Sequence, residues 1–328
     1  MKTTILVNYD ISDDELAFIR QMGVEHIELN TDRIMDADEL IGIRKRFGGY
    51  GITPMLLSCM PMQKNRLIDL GLDGRDGQIG EFKRFVREAS KAGFDSVSVA
   101  WQPNNIHRSG RKAGEHTRGG VATYYDDADG SINEIKNERV YTVDEVWDAF
   151  GFFLEAVGPV MKECGVTMSL HPNDPPVEYV CGVGSLIYRS DDYRRILEMD
   201  RWDVCRIKYC IGCALEGGEA FGDVYRDLEE FISKGKINSV HFRNVSGTLP
   251  YFEETLAEDG YREMYPIMKH LVRCGYDGII SVDHVFGGID TMGGRTGAFA
   301  YPTGYMKGLM KAAETEVALE RMNKKTEA

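Results

Sequence analysis

The feature that most narrows the possible folds is an alternation of short β-rich runs and amphipathic helical stretches that continues from one end of the chain to the other. Strand-type runs occupy residues 4–8, 26–29, 53–58, 96–101, 167–171, 204–210, 239–243 and 278–283. Helical stretches at 37–47, 81–92, 143–164, 192–198, 225–233, 263–274 and 303–313 separate and follow them. A first helix is opened by the capping-box pattern Ser12-Asp-Asp-Glu15 and closed at Gly23. Gly23, Gly93, Gly165, Gly235 and Gly275 each stand just past a helix and just before a strand, where glycine accepts the left-handed turn that reverses the chain. Such an alternation implies a parallel sheet with right-handed crossovers, and eight units close into a (β/α)8 TIM barrel. The structural alternative is a doubly wound open sheet. It is weakened by the lack of a Gly-x-Gly-x-x-Gly after the first strand.

One barrel domain is expected over residues 1–315, with a charged tail at 316–328. Two connections are long: a polar, Gly/Arg-rich stretch at about 102–141 after strand four, and a last loop at 285–300 carrying Gly287, Gly288, Gly293, Gly294 and Gly297. Loops that follow strands sit on the C-terminal face of a barrel, where active sites lie. The chain's 39 Lys+Arg against 52 Asp+Glu give a net charge of −13, which argues against a nucleic-acid partner because phosphates demand a basic face. An anionic small molecule is still allowed, since a site can be locally positive. Seven scattered cysteines are expected to be reduced. With no 18-residue apolar run and no signal-type N-terminus, the chain reads as cytoplasmic, without a membrane partner. A homo-oligomer is compatible with all of this.

Strand five ends in His171, strand six in Cys210, strand seven delivers His241, and strand eight ends in Asp283-His284. Four consecutive strands thus aim a metal-type ligand at one face. Each alone has a bland reading: a core histidine, a buried thiol, a capping aspartate. Their coincidence at strand ends points to a metal site. Two imidazoles, a thiolate and a carboxylate form a mixed donor set suited to Mn, Fe, Co or Zn, whereas a structural zinc site is more often rich in paired cysteines. Cys213 completes a lone Cys-x-x-Cys with Cys210 and reads as a small residue beside the site. The prolines after His171, in His171-Pro-Asn173-Asp-Pro-Pro, stiffen the loop leaving its strand. Arg243 shares a side of its strand with His241 by the period of two and can clamp a carboxylate, or else pair with an acidic strand end. In the long fourth loop, His116-Thr-Arg118-Gly-Gly offers a second cation flanked by glycines.

With these residues assembled, the chain resembles the mannonate dehydratase family of the xylose-isomerase-like barrel superfamily, best between His171 and Leu309. The likeness rests on His171-Pro-Asn-Asp-Pro-Pro176, Tyr209-Cys210-Ile-Gly212, Val240-His241-Phe-Arg243, Asp283-His284-Val285 and Gly304-Tyr-Met-Lys-Gly308. It implies dehydration of D-mannonate to 2-keto-3-deoxy-D-gluconate with a divalent metal, manganese or iron. It further implies His171, Cys210, His241 and Asp283 as ligands, with His284 and a tyrosine of the last loop as the acid/base pair. Tyr301 is the candidate, and Tyr305 the alternative. Arg243, Arg118 and Asn173 are the expected substrate contacts. The chain departs from the family pattern at Asn173, where aspartate is usual, and at Ser281, where arginine is frequent.

Two other functions compete. A sugar isomerase or epimerase on the same barrel would use more carboxylate ligands, so the thiolate speaks against it. A non-catalytic sugar-acid-binding protein would have no need of acid/base residues.

Overall fold

The computed structural model describes residues 1–284 and 297–326. Of the glycine-rich stretch singled out above, residues 285–296 lie outside the described residues. A parallel sheet takes its strands in the order expected of a closed barrel: His26–Thr31, Thr53–Cys59, Ser96–Ala100, Thr167–His171, Cys205–Cys210, Ile237–His241 and Ile279–Ser281 each pair with the next. The first stave is split. Lys2–Thr4 pairs with Ile279–Ser281, and Leu6–Asn8 pairs with the strand beginning at His26. Between them the Ile5 carbonyl accepts the amide of Glu28 at 3.0 Å, so the sheet closes on itself through a single N-terminal segment.

Local chemistry sets the helices as expected. Ser12 accepts the Glu15 amide at 3.2 Å while Glu15 accepts the Ser12 amide at 2.9 Å, satisfying two donors that a helix start otherwise leaves open. The same reciprocal arrangement recurs at Asp36/Glu39 and Thr142/Glu145. The five punctuating glycines all take positive φ, between 63° and 80°. Outside the sheet, aromatic side chains fill the layer under the helices; Phe82 and Phe153 meet edge-on at 4.9 Å, a geometry worth about 0.5–1.5 kcal/mol beyond the buried area. Inside, the barrel is polar at mid-height, with Ser169 bonded to Asn238 and Ser239.

Two segments differ from the sequence reading. The stretch 102–141 contains strands Gly110–Ala113 and Val121–Asp126, which join Tyr251–Thr255 and Asn244–Val245 in a four-stranded antiparallel sheet. That sheet ties the loop after strand four to the loop after strand seven. The C-terminal stretch does not fray at 315: one helix runs Ala300–Thr326. Its Val317 is buried, and Glu316 and Glu320 hold Lys269 at 2.5 and 2.8 Å, while Glu320 also takes Arg273 at 2.7 Å. Charge at 316–326 is therefore the outer face of a docked helix, which a solvated tail resembles in composition.

Candidate active site and metal centre

Three of the candidate ligands are the last residues of their strands, and register explains why they meet. Cys210 stands directly beside His241, and His241 beside Ser281, two residues short of Asp283. The chain then leaves the strand: Asp283 takes φ 61°, a left-handed conformation in which a non-glycine residue is strained. Strand alternation would point His284 away from its neighbour, and this bend instead brings both side chains to the same mouth. One ligand atom from each of His171, Cys210, His241 and Asp283 lies within 4.8 Å of the others.

The details suit a cation. His171 directs Nδ1 at the Pro172 carbonyl, 2.7 Å away, which fixes the tautomer and frees Nε2 to act as a ligand. The Nδ1 of His241 is buried without a hydrogen-bond partner, although Asp283 Oδ2 is only 3.1 Å away. At that separation His241 and Asp283 can serve one ion in common. Cys210 caps the helix Ile211–Gly217, and its sulfur accepts the Cys213 amide at 3.4 Å. Burial pushes the Cys210 thiol up, but the Cys213 thiol, the Arg243 guanidinium and the imidazoles of His171 and His241 outweigh it and hold it well below the ordinary value. A thiolate is the form that binds metal. A second acidic group, Asp174, Cys213 and Glu216, is also compact, but arginines already fill it.

His284 is held from two sides, its Nδ1 2.9 Å from Glu254 and its Nε2 3.5 Å from Asp283. Burial alone would lower its pKa, yet the two carboxylates win and raise it to about 9. Glu254 comes from the antiparallel sheet over the barrel, so that sheet reaches into the site. The mouth is a cavity of about 430 Å³ lined by His171, His241, Asp283 and His284 on one side and by Asn8, Glu28, Asn30, Lys64, Gln102 and Lys208 on others. This size suits a small polar ligand.

The remaining expected contacts are placed otherwise. Arg243 is buried and does not line the cavity; it meets Glu216 at 2.6 Å, Asp174 at 3.1 Å, Glu254 at 3.2 Å and Asp283 at 3.3 Å. Its second reading, pairing with acidic strand-end groups, is therefore what the geometry displays, and those carboxylates together with the Cys213 sulfur take up its donors. A Cβ at Gly212 would lie 2.3 Å from this guanidinium, so the glycine after Cys210 makes room for it. Asn173 is buried and bonded to backbone, donating to the Trp101 carbonyl at 3.2 Å and accepting the Ile187 amide at 3.0 Å, so it shapes the loop after His171. Arg118 and Tyr301 are exposed together: Arg118 donates to the Tyr301 hydroxyl at 3.0 Å and to Glu258 at 2.9 Å, and Tyr301 bonds Glu258. Neither is among the cavity-lining residues. Tyr305 is half-buried in the same helix.

Sequence reasoning missed Glu254, Glu28, Lys208 and Lys64. Lys208 was within reach, because it stands two residues before Cys210 and shares its side by the same period of two. It is buried and bonded to Glu28 at 2.7 Å.

With this geometry established, comparison with known proteins is informative. A profile of the D-mannonate dehydratase (UxuA) family matches residues 131–326, more than half of the chain. Mannonate dehydratase 2 of Halalkalibacterium halodurans is 24% identical over 274 residues, covering 75% of this chain and 78% of that protein. The mannonate dehydratase of Geobacillus thermodenitrificans is 24% identical over 315 residues, covering 84% of each. Among solved structures, a mannonate dehydratase from Streptococcus suis serotype 2 superposes with TM-score 0.84 at 21% identity over 97% of this chain and 95% of that one. A D-psicose 3-epimerase from Clostridium cellulolyticum H10 shares the barrel at TM-score 0.60 and 10% identity, over 96% of this chain and 99% of that one. The profile match spans all four converging ligand residues together with His284, and the chain belongs to the D-mannonate dehydratase family of hydro-lyases.

Proposed function

We propose that the protein dehydrates D-mannonate to 2-keto-3-deoxy-D-gluconate at this cavity, with manganese or iron held by His171, Cys210, His241 and Asp283. The observation that carries the reading is the bend at Asp283, which brings His284, our candidate for proton transfer, to the same mouth as four side chains able to hold an ion. When bound, a divalent ion supplies a Lewis acid that stabilises negative charge developing on the substrate's oxygens. The reaction removes a proton from C2 and hydroxide from C3. The resulting enol takes up a proton at C3 to give the 2-keto acid, and one water leaves.

The chain's own residues have separable tasks. His284, oriented by Glu254, holds or moves a proton at the mouth of the site. Glu28, Asn8, Asn30 and Gln102 offer polar atoms to hydroxyl groups along the cavity wall. Tyr301 lies with Arg118 and Glu258 outside the cavity lining, so proton transfer is assigned here to His284.

The test offers manganese- and iron-loaded protein a panel of aldonates, aldoses and ketoses and scores 2-keto-3-deoxy acid. Formation of that product from D-mannonate is the expected result. Epimerisation or isomerisation of a neutral sugar, with no dehydration of any aldonate, would hand the site to the isomerase reading.

A further inference from the structure

An anionic substrate needs a counter-charge, and most cations around this site already have one. Arg243 is surrounded by Asp174, Glu216, Glu254 and Asp283. Arg108 is held by Asp174 at 2.5 Å and Glu254 at 2.6 Å. Arg118 is taken by Glu258 and Asp259, and Lys208 by Glu28. A guanidinium or ammonium saturated by carboxylates offers a ligand's carboxylate little net attraction, since the field of the pair falls off as a dipole.

Lys64 is different. It lies between the short helices Met60–Gln63 and Arg66–Asp69, in the loop after the third barrel strand, on the cavity wall that also carries Asn8 and Asn30. It is half-buried, and its ammonium makes no ion pair or hydrogen bond with another described residue. Burial lowers its pKa, which Asp174, Asp283 and Asp69 only partly offset. Asp69, five residues on, is itself buried and pushed well above the usual carboxylate range, so it is a poor counter-ion. The cavity wall therefore carries one half-buried ammonium that no carboxylate of the described residues holds in a direct ion pair, on the same cavity as His171, His241 and Asp283.

We propose that Lys64 is the residue that binds the substrate's carboxylate and so selects sugar acids over neutral sugars. It does so as a point charge on a flexible stem, reaching a group whose other end lies toward His171, His241 and Asp283. The inference deepens the proposed dehydration and rests on it. A charge-assisted hydrogen bond in a partly desolvated site is worth about a 10- to 100-fold change in affinity.

The experiment compares wild-type protein with Lys64→Met, Lys64→Gln and Lys64→Arg, all metal-loaded, on D-mannonate, with D-mannonamide as a neutral competitive probe. KM for mannonate should rise about 10- to 100-fold in the Met and Gln variants, with kcat and metal content much less affected. Lys64→Arg should recover most of the loss, and inhibition by the amide should stay near the wild-type value. Should Lys64→Met fold poorly, Lys64→Gln carries the measurement at nearly unchanged size. An unchanged KM for mannonate in an active variant overturns the assignment, as does an equal weakening of the amide and the acid. Failure of wild-type protein to dehydrate mannonate would instead defeat the proposed function, a separate outcome.

Discussion

His284→Asn is expected to lower kcat for dehydration by about 10²–10⁴ while leaving bound metal in place, because a positioned acid or base is typically worth that much. Asparagine keeps a polar group of similar reach and can still bond Glu254, so the variant removes proton transfer with little loss of packing. Metal content separates this from a structural effect: His284 is not one of the four converging ligands, and the ion should be retained at wild-type stoichiometry. A companion change, Glu254→Gln, keeps the contact at His284 Nδ1 but withdraws the charge that faces it at 2.9 Å. It should reduce kcat less than His284→Asn and shift the pH profile of kcat, since a neutral neighbour no longer favours the charged imidazole. Near-normal turnover in His284→Asn, with collapse in Tyr301→Phe or Tyr305→Phe, would move the chemistry to the last helix.

Arg243→Met should be among the most destabilising single changes in the molecule, by about 3–5 kcal/mol, since it leaves buried carboxylates without their cation. Balance of charge makes the case. Burial works against the charged forms of Asp174 and Glu254, but the two arginines, joined at both by His284, outweigh it and hold both carboxyls below the usual range, while burial pushes Glu216 well above it. Two guanidiniums thus face two ionised carboxylates and one that tends to the neutral form. Removing Arg243 leaves Arg108 alone with both, in a region where Asp174, Glu216 and Glu254 are almost fully buried. Arg243→Lys should restore only part of the loss, since an ammonium cannot span partners arranged for a planar fork. Denaturant midpoints of the three proteins provide the check. Unchanged stability in Arg243→Met together with a raised KM would return Arg243 to the role of substrate clamp that its sequence position suggested.

The barrel was legible because it is written locally. Each strand declares itself over four to seven residues and five of the turns into a strand by a glycine, so Thr167–His171 was bounded correctly before any contact was known. The convergence of the candidate ligands was legible for a related reason: a strand end on the C-terminal side of a barrel has one possible address, so the meeting of His171, Cys210 and His241 follows from the count of strands. Asp283 needed one more fact, the left-handed bend, which no residue-level preference announces.

What was not legible depends on pairing between distant segments. Glu254 enters the site only because Tyr251–Thr255 pairs with Val121–Asp126, an antiparallel contact across more than a hundred residues of barrel. The same pairing turns 102–141 from an apparent loop into a sheet. Arg243 was expected on the strand side of His241, but the strand ends at His241, and the four carboxylates that meet Arg243 come from four different connections. Glu28 and Lys208 sit in strands whose neighbours are apolar, and the interior partner of each is on another strand. Nothing in the residues around Lys64 sets it apart in the sequence; that it lacks a direct ion-pair partner among the described residues depends on how the other charges on the barrel mouth are paired.

The central claim is that His171, Cys210, His241 and Asp283 together hold the ion on which activity depends. Metal content of protein purified without chelator, wild type against Cys210→Ser, tests it most directly. The wild type should carry close to one equivalent of manganese or iron. Retention should weaken as pH falls, because the thiol and imidazole ligands must be deprotonated to bind. Cys210→Ser, which replaces a thiolate by an alcohol that stays protonated, should lose most of the metal and the dehydratase activity with it. Equal metal content and equal turnover in the two proteins would contradict the account.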